Sequence, residues 1–123
     1  MNVWVILMVI GGVLGYAVDF YESLVLRPQA RRQEGNKIFR NPDGTLNWKR
    51  ALIIHPLVYF GGGTVLYFLC NLADTPEQDY NVGAYAFGAW VLGAGIVHAV
   101  MGIHNILKNK KVLANPQPPQ VYL

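Results

Sequence analysis

The chain is short of the residues that most chemistry requires. Its 123 residues include one cysteine, Cys70, and one serine, Ser23. A lone cysteine closes no disulfide within the chain and builds no cysteine metal cluster. The serine has no Gly-x-Ser-x-Gly setting, and no phosphate-binding glycine loop, His-Glu-x-x-His or Cys-x-x-Cys occurs. Gly61-Gly62-Gly63-Thr64 copies part of a phosphate cradle but lies in an apolar run without the lysine. No internal repeat is present, which argues against an inverted-repeat transporter made from one chain.

Charge is the other scarcity. Asp, Glu, Lys and Arg are absent from residues 1–18, 51–73 and 80–107. Each gap is close to or above the roughly 20 residues a helix needs to cross about 30 Å of hydrocarbon. With 53% hydrophobic residues, a soluble chain of this length has too little interior to hide three such segments. The expected fold class is therefore all-α integral membrane. Helices are expected over residues 1–26, 51–73 and 82–107, joined by loops 27–50 and 74–81 and followed by a tail, 108–123. Arg27-Pro28 should end the first helix, because a residue before proline avoids helical angles. Gly15-Tyr16-Ala17 loosely fits a signal cleavage site, but no Lys or Arg precedes the apolar run, so a retained helix is expected.

What charge there is lies asymmetrically. Loop 27–50 holds Arg27, Arg31, Arg32, Lys37, Arg40, Lys49 and Arg50 against Glu34 and Asp43. Loop 74–81 holds Asp74, Glu77 and Asp79 with no basic residue, and the tail opens with Lys108, Lys110 and Lys111. Basic segments stay inside, so the first loop and the carboxyl terminus are expected inside and the amino terminus outside. A bacterial cytoplasmic or mitochondrial inner membrane fits that rule. The net charge of +3 follows from the topology and calls for no nucleic acid. Lipids are the expected surroundings.

Within the first loop, residues 37–40 and 45–48 flank Asn41-Pro42-Asp43-Gly44, a type I turn sequence, and a short hairpin is expected there. Trp48 should sit at headgroup level. The tail, with Pro116, Pro118 and Pro119, favours an extended run that a partner subunit would hold.

Small residues line the third helix at Ala84, Gly88, Gly95, Ala99 and Gly102, and Gly11 and Gly15 repeat the spacing in the first. Such faces let helix backbones approach closely where hydrophobicity cannot drive association. They are the expected contacts with other helices, whether of this chain or of partner membrane subunits.

Ionisable groups at membrane depth mark partners, cofactors or water paths. Asp19 and His98 each lie about 24 Å from the outer end of their helices at 1.5 Å per residue, and are expected to meet. Alternatively, Asp19 and Glu22 both reach the headgroups and pair with Arg27 or Arg31. His104 points away from the glycine face, and His55, if Pro56 opens the second helix, is interfacial. His55, His98 and His104 are the candidates for binding haem b or a quinone, although no cofactor and no metal is the leading expectation.

Three function classes remain. The first is a non-catalytic accessory or structural subunit of a larger membrane complex, respiratory or otherwise energy-converting. The second is a haem- or quinone-binding anchor, similar in its three-helix architecture to the membrane subunits of succinate dehydrogenase. The third is a small homo-oligomeric channel or carrier, for which a ring of polar residues along one helix is not seen.

Overall fold

A computed structural model describes residues 2–73 and 81–115. Three helices dominate it, and no strand occurs among the described residues. Helix α1 spans Val3–Gln29, α2 Trp48–Asn71 and α3 Val82–Ala114, each long and apolar enough to cross a membrane. Only 11–22% of their most apolar windows is buried inside the chain, so another apolar medium must cover the rest. Three such helices make this a multi-pass integral membrane architecture.

Each helix starts on an asparagine that satisfies a free backbone donor. Asn2 accepts from the Trp4 N–H at 2.8 Å, Asn47 from Arg50 at 3.1 Å and Asn81 from Ala84 at 2.9 Å. The first two helices share one departure from the sequence expectation. Proline does not end either of the first two helices, because a wide π turn accompanies it. In α1 the turn covers Glu22–Leu26 and Pro28 follows, with Arg27 held at helical angles (φ −63°, ψ −44°). In α2, Pro56 lies mid-helix and the π turn Leu57–Gly61 comes next. Widening the ladder accommodates a residue that has no N–H to donate.

The end of α1 is closed by Arg31, whose φ of 53° is unusual for a residue with a side chain. Arg31 N–H bonds the Pro28 carbonyl and Arg32 N–H the Arg27 carbonyl, both at 3.0 Å. This is the Schellman pattern that glycine usually completes. It turns the chain back so that Arg32 reaches α3. There, α3 continues past residue 107 to Ala114, adding about two turns that carry the buried Asn109.

The expected hairpin shrinks to one antiparallel bridge, Arg40 to Leu46. Residues Lys37–Phe39 coil into a 3-10 turn and Trp48 joins α2, leaving no length for strands. The turn itself forms as expected. Gly44 N–H donates to the Asn41 carbonyl at 2.9 Å, Gly44 has φ 88°, and Asn41 N–H bonds the Thr45 carbonyl. Phe39, Leu46 and Ala51 form a small apolar core beneath it, with Phe20 and Ile54 against its side.

Asp43 accepts from the Thr45 hydroxyl at 2.6 Å and from its N–H at 3.0 Å, which holds the carboxyl below its ordinary range. A depressed folded value means this support is complete above the unfolded value and disappears as pH falls through the folded one. The Thr45 amide proton should therefore lose its hydrogen-bonded NMR shift only on acidification below the ordinary carboxylate range, and Asp43→Asn should remove that transition.

Helix α3 is the centre, with α1 and α2 both packed on it. The α1 seam is made of glycines. A side chain at Gly12 would collide with the Val91 carbonyl, at Gly15 with the Gly95 carbonyl, and at Gly95 with the Gly12 backbone. At Gly102 it would come within 2.9 Å of Asp19 Cα, and at Gly88 within 2.8 Å of Met8 Cε. The glycine face of α3 thus meets α1 of the same chain. Gly12, rather than Gly11, sits at the crossing. Gly11 faces only the tip of Leu92, at 3.1 Å. On the other side, Gly62 and Gly63 of α2 receive the rings of Trp90 and Phe87. The proline-rich tail and the acidic residues Asp74, Glu77 and Asp79 lie outside the described residues.

Candidate functional site

Asp19, Glu22, Arg27, His55 and His98 gather at the end of the bundle that carries the basic loop, in two adjoining groups. The deeper one begins with Asp19 of α1 and His98 of α3, which meet at 2.7 Å between Oδ2 and Nδ1. The contact is possible because Gly102, one helical turn beyond His98, admits the α1 backbone at Asp19. A carboxylate can only accept, so the His98 Nδ1 carries the proton and Nε2 is the atom left for another partner.

From α2 come His55 and Tyr59. The mid-helix position of Pro56 places His55 inside the bundle rather than at an interfacial helix entrance. Its Nδ1 lies 3.2 Å from the Ala51 carbonyl, which also receives the Tyr16 hydroxyl at 3.5 Å. Because a carbonyl only accepts, His55 donates from Nδ1, which leaves Nε2 as the acceptor of the neutral ring. Aromatic faces complete the enclosure. Tyr16 packs against Phe20, His55, Tyr59 and His98, and Phe39 of the loop stacks on His55 at 4.5 Å and 26°.

His55 and His98 touch edge to face, with ring centroids 4.9 Å apart and planes at 87°. Two imidazoles in direct contact leave no slot for a porphyrin between them. His104 lies on the exposed side of α3, away from both. Of the three candidate histidines, two are brought together and one faces the surroundings. No group of three metal-binding side chains occurs among the described residues.

The second group lies between this cluster and the basic loop. Glu22, fully buried, accepts from Arg27 Nε at 3.0 Å and Nη2 at 2.6 Å, from Ser23 Oγ at 3.2 Å and from Asn109 Nδ2 at 2.9 Å. Arg27 reaches on to Glu34 at 2.7 Å, and Asn109 in turn accepts from Arg32 at 2.6 Å. Asp19 and Glu22, which the alternative sequence reading placed together at the headgroups, are therefore separated: one serves His98, the other Arg27. Sequence reading missed Glu34, Arg32 and Asn109 as partners. Asn109 lay beyond the expected end of its helix, and no local pattern signals a bond between residues 87 positions apart.

A cavity of about 370 Å³ connects the two groups. Tyr16, Asp19, His55 and His98 form its floor, while Arg32, Glu34 and Asn36 stand at the loop end. Its volume falls within the range of small-ligand sites. Its fixed charges balance. Among its lining residues Asp19 and Glu34 offset Arg27 and Arg32. No family model, curated protein or solved structure matches the chain, so its chemistry is read from geometry.

Proposed function

We propose that this chain is a membrane subunit of an energy-converting assembly, and that it binds a quinone head group in the cavity floored by Asp19, His98, His55 and Tyr16. The observation that carries the reading is the cavity itself: apolar rings on its walls, paired titratable side chains on its floor, and balanced charge around it. A neutral, flat, redox-active ring with two oxygens matches those three properties. His98 Nε2, once protonated, is a donor for a quinone carbonyl. His55 Nε2, an acceptor in the neutral ring, suits the hydroxyl of the reduced form. Basic residues around the loop support placing the site at the inner face.

An electron donor carried by a partner subunit completes this reading, which is why an assembly is part of it. The test is binding of decylubiquinone to the purified chain in lipid nanodiscs. His98→Ala and His55→Ala are each expected to weaken binding about tenfold or more, the loss of roughly 1.4 kcal/mol. His104→Ala, on the exposed side of α3, should leave it unchanged. Saturable binding that survives both cavity variants, or no binding at all, would leave the chain a purely structural subunit. The particle's mass after mild solubilisation should exceed that of a few copies of this chain.

A further inference from the structure

One buried polar atom is not accounted for by any contact. The Tyr59 hydroxyl belongs to a residue only 4% exposed and has no hydrogen-bond partner. Its ring stands 5.7 Å from those of Tyr16 and His98, beside the Asp19–His98 pair. A hydroxyl left bare at this depth is costly, and the cost falls if a water molecule fills the gap. The rings nearest to it belong to Tyr16 and His98, and His98 in turn holds Asp19 at 2.7 Å, so polar partners for such a water lie close by.

Among the described residues, the cavity that reaches the Asp19–His98 pair beside Tyr59 lies toward the basic loop. Toward the basic loop, Asp19 and His98 line the cavity that reaches Arg32, Glu34 and Asn36. Toward the amino-terminal side, the α1 and α3 backbones are in contact at Gly12, Gly15 and Gly95. A groove of about 900 Å³ does open there between α1 and α2. Its deepest lining residues are Ile10 and Thr64, at least five residues short of Tyr16 and Tyr59 along either helix, and its lining is mostly apolar, with Asn2, Asn81 and Tyr85 toward the helix ends. The groove therefore stops short of the Asp19–His98 pair.

We propose that Asp19, His98 and Tyr59, with one bound water, form a proton-binding site that fills and empties only from the basic-loop side. His98 Nε2 takes the proton, the imidazolium is neutralised by the Asp19 carboxylate already on Nδ1, and Tyr59 donates to the water held against the pair. Other titratable or charged groups face the cluster. Tyr16, Glu22 and Arg27 come from α1, His55 from α2, and Glu34 and Arg32 from the loop; Glu22 and Glu34 are committed to Arg27. This site stands whether or not the cavity takes a quinone.

The experiment uses the full chain in oriented proteoliposomes, with labelling of the exposed Lys37 by a membrane-impermeant amine reagent identifying the basic-loop face. A pH jump is applied to one face at a time and followed by infrared difference spectroscopy. Asp19→Asn and, as a variant that keeps the charge, Asp19→Glu assign the bands of the pair. A jump on the basic-loop face should produce those bands as fast as the solutions mix. A jump on the opposite face should produce them only at the rate of proton leak across the vesicle. Exchange into oxygen-18 water should shift one hydroxyl band, and Tyr59→Phe should abolish that band while keeping those of the pair. Equal rates from both faces, no bands from the pair at any pH, or an oxygen-18-sensitive band that persists in Tyr59→Phe would each overturn the proposal. A failure of decylubiquinone binding changes none of these readings, so the two proposals fail separately.

Discussion

Glu22→Ala is expected to destabilise the protein by about 3–5 kcal/mol, the range for breaking a buried ion pair from one side. The carboxylate is fully buried and receives four donors, two of them from Arg27. Its removal strands a guanidinium with Glu34 as its remaining ionic partner, and leaves the Asn109 amide without its acceptor. Unfilled volume adds to the loss. Glu22→Gln preserves the shape and one acceptor oxygen, so its cost should be clearly smaller. Unfolding in detergent, followed by circular dichroism as denaturant is added, measures both. The same knot ties the loop to α1 and α3, so Glu22→Ala should also open residues 30–47 to protease before the helices unfold. A loss below about 1 kcal/mol would mean that the loop is held by the Phe39, Leu46 and Ala51 core instead.

The second large effect belongs to the glycine seam. Gly15→Leu should cost about 3 kcal/mol or more, or prevent accumulation of the protein, because its Cβ would occupy the place of the Gly95 carbonyl. Backbone cannot rotate aside as a side chain does. The two helices must separate along their length, and Asp19 and His98 would part with them. A graded series distinguishes this from a general cost of larger residues in the membrane. Gly11→Ala meets only the Leu92 tip, at 3.1 Å, and should be mild. Gly93→Ala has nothing within 4 Å and should change stability by no more than about 0.5 kcal/mol, if anything favourably. Equal losses at Gly15 and Gly93 would show that helix proximity is not what the seam provides.

These two predictions meet at the candidate site. The seam brings α1 close enough for Asp19 to reach His98, and the Glu22 knot fixes the loop that closes the cavity over them. Loss of either should therefore weaken decylubiquinone binding without touching a cavity ring directly. His98→Ala should weaken binding directly, and because it also leaves the Asp19 carboxylate without its 2.7 Å partner, circular dichroism on the same variant separates lost contact from lost fold.

How much of this was legible beforehand differs residue by residue. Gly88, Gly95 and Gly102 were readable as a packing face because positions seven apart return to nearly the same side of a helix. Asp19 and His98 were readable as one of two pairings open to Asp19, from equal depth and from the place of His98 beside the glycine stripe. His55 was misplaced: the sequence suggested Pro56 as a first-turn residue, whereas Asn47 caps the helix two turns earlier. Gly12 was passed over for Gly11 because the four-residue spacing to Gly15 is the familiar one, yet a three-residue spacing serves the crossing here.

By itself the sequence determined the solvent and the number of crossings. Hydropathy is a sum over neighbouring residues, and a charge-free run of membrane length has the same meaning in any fold. Only the tertiary structure decided which side chains face inward. Each residue turns a helix by about 100°, so one extra residue in a π turn moves everything beyond it to another face. Glu22 begins one such turn and His55 precedes the other, and no sum over neighbours registers that rotation.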